Sequence, residues 1–246
     1  MSLDRIRYEL KLNRKVLLLA PALAIVPVIA LVIMQHVLRQ DSARVALAGL
    51  EMLLPLAGGV TVAGTCAGDA ALELHLTTLH PYSATGMLRV LLIFCWVACM
   101  AMAGLAILAL ANLLRLPTFA ASYSPLVRAL ALQLLWLAPF VWLGGVGLCL
   151  ALLTRSRSAS GTLLGGLWLL NVLFVGTIAQ TIWLRPVLLF PATLVIFPAT
   201  AVSRADFGIY WLTTRFELLG TGLVLFMLGW LLLHNAESLL KGASEE

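Results

Sequence analysis

Seven stretches of 17 or more residues carry no Asp, Glu, Lys or Arg: 16–38, 52–68, 90–114, 129–154, 158–184, 186–203 and 218–236. A soluble core spreads its apolar residues periodically, whereas a bilayer demands long runs without charge. Hydrophobic residues make up 62% of the chain and charged ones 11%. Soluble domains average roughly 45–50% and about 25%. A water-soluble globule is thereby excluded, and the chain reads as an all-α polytopic membrane protein.

A helix needs about 20 apolar residues to cross the hydrocarbon core, and five of the gaps meet that length unaided. The gap ending at Gly68 extends upstream past Glu51 to Val45 and is counted as a span. The gap 186–203 contains Pro186, Pro191 and Pro198, each of which removes a backbone donor, so a re-entrant or interfacial segment fits it better than a crossing. The expected architecture is one transmembrane domain over 1–246 with six spans, at about 16–38, 45–66, 89–112, 130–153, 161–184 and 216–234. Seven spans is the alternative. An N-terminal interfacial segment covers 1–15, where Leu3, Ile6 and Leu10 share a helix face. A cytoplasmic loop covers 67–88, and an extracytoplasmic re-entrant segment covers 185–204.

Orientation follows from the distribution of basic residues. With the N-terminus inside, inner segments hold nine: Arg5, Arg7, Lys11, Arg14, Lys15, Arg89, Arg155, Arg157 and Lys241. Outer segments hold seven: Arg39, Arg44, Arg115, Arg128, Arg185, Arg204 and Arg215. The first span dominates such a balance, so both termini are expected in the cytoplasm. That span is too long for a signal peptide and lacks a small-residue cleavage site. The net charge of +5 is scattered over loop ends, which suits anionic headgroups rather than nucleic acid.

Several chemistries are excluded by what the chain lacks. Its three lysines, Lys11, Lys15 and Lys241, follow no Gly-x-x-x-x-Gly run, so it has no phosphate-binding loop. The four histidines form no His-Glu-x-x-His pattern, and there is no Gly-x-Ser-x-Gly elbow. Cys95 and Cys99 share a helix face without a nearby His or Asp, and read as small apolar packing rather than a metal site. No catalytic, cofactor-binding or metal-binding residue is assigned. The central parts of the spans lack charge, and Glu51 and Glu217 are expected at helix ends in the interface, which disfavours an ion-coupled transporter. Thr61, Thr65, Asn171, Thr177, Gln180 and Thr181 are expected to make hydrogen bonds between helices. Gly161 and Gly165 have the small-xxx-small spacing of close helix approach, within the bundle or between copies. Trp96, Trp136, Trp142, Trp168 and Trp183 suit lipid-facing anchors or contacts to an amphipathic cargo.

The loop between the second and third spans is not uniformly polar. Leu72, Leu76 and Leu79 recur at helical spacing, Asp69 stands near the N-terminal end of that run, and Pro81 stops it. This predicts a short amphipathic helix at the membrane surface. The run from Asp69 to Leu92, with Glu73-Leu74, Thr77, Pro81, Ser83, Gly86 and Arg89, resembles the cytoplasmic loop of type-2 ABC exporter permeases. The second inner loop, Thr154 to Ser160, is similar to theirs as well. Ala70 and Ala71 depart from the Gly-Thr common in that family, and His75 and His80 are also unusual.

The resemblance implies a permease subunit in the cell membrane, without enzymatic activity of its own. It would be energised by a separate cytosolic ATP-binding subunit and paired with a second permease chain as homodimer or heterodimer. It implies that Asp69, Leu72, Glu73, Leu76, Thr77 and Pro81 belong to a coupling helix docking on the ATPase. The N-terminal segment would join the ATPase side to the first span, and the Pro-broken segment would line or close the outer end of the pathway. The alternative is a scaffold or binding subunit of a membrane complex with no transport of its own.

Overall fold

A computed structural model describes residues 11, 26, 28–30, 32–34, 47–67, 82–110, 123–190 and 204–243, with side chains for all of these except 82–83, 204–210 and 235–243. Among the described residues every regular element is helical. They are α1 (Leu54–Cys66), preceded by a π-helical turn (Gly49–Leu53), α2 (Tyr82–Leu110), α3 (Pro125–Thr154), α4 (Arg157–Leu173), α5 (Val175–Gln180), a 3-10 helix (Ile182–Val187) and α6 (Arg204–Ala243). Four helices are long and apolar enough to cross a membrane: Gly49–Cys66, Ala84–Leu110, Pro125–Thr154 and Trp211–His234. They coincide with the spans expected at 45–66, 89–112, 130–153 and 216–234.

Of the other two expected spans, one is described only in part and one is interrupted. Of the range 16–38, only residues 26, 28–30 and 32–34 are described, as helical positions. Val28 touches Gly49 and Val32 packs on the core. The range 161–184 is not one uninterrupted helix. α4 ends at Leu173 with Phe174 at φ −102°, ψ 16°, six residues of α5 follow, and Thr181 is extended before the 3-10 turn. Apolarity alone conceals such a break, because charge-free sequence carries no signal for helix ends. The segment expected over 185–204 is described only to Phe190 and from Arg204 onward.

Helix ends follow local chemistry. Ser124 caps α3, accepting from Val127 N–H at 3.4 Å, and Pro125 occupies the first turn, where its missing N–H is not needed. Arg155 closes α3 in the left-handed region at φ 51°, and Ser156 caps α4 by accepting from Ala159 N–H. The loop between these helices is therefore only Arg155 and Ser156. The π turn before α1 has an equally local cause. Pro55 has no N–H to offer the carbonyl of Glu51, and the widened turn absorbs the defect, with Leu54 N–H reaching Gly49 O. Pro139 inside α3 is tolerated without ending that helix.

α3 is the central element and packs most extensively on α1 and α6. The membrane window of α3 is 61% buried and that of α1 with its π turn 67%, whereas α2 and α6 are buried over only 28% and 22%. Glycines allow the two close crossings. A Cβ on Gly147 would stand 2.6 Å from Gly59 O, and one on Gly222 would stand 2.8 Å from Trp142 N. Without side chains there, α1 meets α3 and α3 meets α6 at backbone contact. By contrast, a Cβ on Gly161 or Gly165 would meet nothing within 4 Å, so among the described residues the close approach expected of them is not made. Trp136 and Trp142 face the core at 4% and 6% exposure rather than lipid, while Trp183 is 87% exposed. Phe140, fully buried, makes a tilted ring contact with Phe94 at 5.8 Å and joins α3 to α2. The outer faces of α2 and α6 are lined with exposed Leu, Val, Ile and Met, as a lipid-facing surface requires.

Candidate functional site

The residues expected to couple to a partner, Asp69, Leu72, Glu73, Leu76, Thr77 and Pro81, lie outside the described residues. Their flanks are described: α1 ends at Cys66 and α2 begins at Tyr82, and these two helices pack on each other. The polar chemistry among the described residues lies elsewhere, at an ion pair buried in the bundle.

Glu51 and Arg215 are 1% and 0% exposed and form a salt bridge through Glu51 Oε1 and Arg215 Nη2. This corrects two expectations. Glu51 was expected in the interface, and Arg215 was counted among loop residues outside the last span. Both instead stand inside helical segments, because each neutralises the charge that would otherwise keep the other in water. Glu217, two residues beyond Arg215, is exposed. Arg89, counted with the inner loop, likewise lies inside α2 at 4% exposure.

The π turn sets where Glu51 points. It shifts the helical register within the first turns of this span, a feature frequent at functional positions. Trp168 of α4 holds the turn by donating its Nε1–H to Met52 O at 3.3 Å. On the other side, the guanidinium of Arg215 lies 5.6 Å from the ring centroid of Trp211, one turn earlier on α6.

Arg215 also reaches a third part of the chain. Its Nη1 donates to Leu189 O at 3.2 Å, and the N–H of Leu189 donates to Asn171 Oδ1 at 3.3 Å. Leu188, Leu189 and Phe190 are 1%, 0% and 1% exposed. After the 3-10 helix the chain thus returns along α4 and lies, non-helical, inside the bundle. Backbone of this kind is tolerated in an apolar interior only if other groups satisfy it, and here side chains from α4 and α6 satisfy both polar groups of Leu189. Thr221 Oγ1 donates to Pro186 O at 3.3 Å, a further tie to α6. Phe190 adds an edge-on contact with Trp168 at 6.0 Å.

Of the polar residues expected to bond between helices, Asn171 does link separate segments. Thr61 and Thr65 do not: their hydroxyls donate to Ala57 O and Thr61 O, four residues back on their own helix. A short hydroxyl side chain satisfies itself locally, whereas the longer amide reaches across. Cys95 and Cys99 are exposed on α2, and no cluster of metal-ligating residues exists among the described residues.

The sequence did hold one sign of the ion pair. Glu51 is alone in 24 residues between Arg44 and Asp69, and an isolated acid in an apolar run must either stay near water or find a buried partner. That partner, 164 positions away, is not identifiable from spacing. The arrangement can lock three segments together, and it places a charge pair and an amide inside an otherwise apolar bundle. No family model, no curated protein and no solved structure matches the chain.

Proposed function

We infer that this chain is the membrane-spanning permease subunit of an ATP-driven exporter, working with a separate cytosolic ATPase and a second permease chain. The observation that carries the reading is the Asp69 to Leu92 run, with its amphipathic leucines and Glu73-Leu74 pair, in the connection between two adjacent helices long enough to cross a membrane. The absence of a phosphate-binding loop supports a division of labour in which the partner hydrolyses ATP.

In this mechanism the segment around Glu73 docks on the ATPase. Leu72, Leu76 and Leu79 supply an apolar face, and Asp69 and Glu73 supply charge. Closure of the ATPase then moves the docked segment as a rigid lever, and the motion passes into α1 and α2. At Gly59 and Gly147 α1 meets the central helix backbone to backbone, a contact suited to small sliding displacements. The returning segment at 182–190 would belong to the re-entrant piece closing the outer end of the pathway, with both termini in the cytoplasm.

The test is purification of the full chain from its native membrane in mild detergent. The expected result is a co-purifying ATPase whose substrate-stimulated hydrolysis is lost on Glu73→Ala and on Leu76→Asp, with the chain itself still folded. Recovery of the chain with no nucleotide-hydrolysing partner would overturn the reading.

A further inference from the structure

We propose that Arg215 is a latch that keeps the buried segment Leu188–Phe190 seated in the bundle, with Glu51 holding the guanidinium in position. The inference stands on the geometry of this site and does not depend on an ATPase partner.

Three observations carry it. First, the segment is held by two kinds of contact that differ in reversibility. Its apolar side chains are packed as tightly as any in the core, yet its backbone has no helical or sheet partner at Leu189. Its N–H depends on Asn171 and its C=O on Arg215. The polar part of the hold on Leu189 is therefore those two side-chain hydrogen bonds, acting beside the apolar packing, and they are the part that a single side-chain change can release.

Second, the charges are arranged to orient Arg215 rather than to satisfy it. One nitrogen of the fork serves Glu51, a second serves Leu189, and Nε finds no acceptor among the described residues. A purely structural pair in so dry a site is expected to have every donor used, since an unsatisfied buried donor is costly. A guanidinium that is not fully satisfied in one geometry is free to re-form its contacts in another.

Third, the groups that the segment covers are the polar ones. Unseating Leu188–Phe190 frees the amide of Asn171 on α4 and one arm of the guanidinium of Arg215 on α6, the arm next to the one that Glu51 holds. The bundle is apolar at rest and would present a polar wall when the latch opens.

The experiment uses the full chain in lipid nanodiscs, with the four native cysteines replaced by alanine and Leu188→Cys as reporter. A second chain retains Cys66 alone, buried at 6% exposure in α1, as the measure of the fold. A water-soluble maleimide is expected to label Leu188→Cys slowly in the parent and about tenfold or more faster with Arg215→Gln, as loss of a charged hydrogen bond implies, while Cys66 stays protected. The exchanged pair Glu51→Arg with Arg215→Glu restores opposite charges but puts a carboxylate, which cannot donate, opposite Leu189 O. Labelling of Leu188→Cys is expected to stay fast in that double variant. Unchanged labelling with Arg215→Gln, equal acceleration at Cys66, or protection regained in the exchanged pair would each overturn the proposal. The first means the segment is held without Arg215, the second that the pair holds the whole bundle, and the third that opposite charge alone suffices.

Discussion

Replacement of Gly147 by alanine isolates what holds the centre of this bundle together. Its Cβ would meet Gly59 O at 2.6 Å, where ordinary contact begins at 3.4 Å. The helices α1 and α3 must therefore part by about 0.8 Å, and a gap of that size forfeits roughly a quarter to a half of each dispersion contact along the seam. Overpacking of this kind costs about 1–3 kcal/mol. Alanine returns about 1 kcal/mol through its better helix propensity, so from the middle of the overpacking range the net loss is about 1 kcal/mol. By the scaling of soluble domains of this size, the midpoint of thermal unfolding falls by about 2–4 °C. The matched control is Gly165→Ala, where nothing lies within 4 Å and only the propensity gain remains. Its midpoint is expected to be unchanged or slightly raised. Both are measured in detergent by the rate at which buried Cys66 becomes reactive to a thiol dye on heating. Equal midpoints for the two variants, or a more stable Gly147→Ala, would refute the argument that backbone contact between α1 and α3 sets their packing.

Two further outcomes follow from the same geometry. Asn171→Leu removes the acceptor of the buried Leu189 N–H and is expected to lower stability by about 1–3 kcal/mol, whereas Thr65→Val, which removes a hydroxyl bonded only within its own helix, changes it by less than about 1 kcal/mol; the same thermal assay compares them. Arg155→Gly relieves a non-glycine residue at φ 51° and is expected to stabilise by about 0.5–1 kcal/mol, while Arg155→Val, branched at Cβ, destabilises by more than that.

Particular residues show where sequence reasoning succeeds and where it stops. The four helices long and apolar enough to cross a membrane, 49–66, 84–110, 125–154 and 211–234, were legible because a lipid environment is a one-dimensional constraint, imposed on each helix separately and visible as absent charge. The division of 161–184 at Phe174 was not legible, because the residues on both sides are equally apolar. Glycine illustrates the same limit. Gly161 and Gly165 have the spacing of a helix contact but meet no neighbour among the described residues, whereas Gly59, Gly147 and Gly222 make the crossings. Which glycine is used depends on how helices are rotated about their axes, and spacing along one helix carries no information about its neighbour.

The sequence by itself determined that this is an all-helical chain with several helices apolar enough to cross a membrane, because a low-dielectric solvent forbids stray charge one residue at a time. Only the tertiary structure decided what becomes of the exceptions. Glu51 and Arg215 each look like interfacial residues alone, since a lone charge must stay near water. Brought together between the π turn and α6, they neutralise each other and are buried, and Arg215 then has a donor to spare for Leu189. Whether a charge is interfacial or internal is a property of the pair, and the pair exists only in three dimensions.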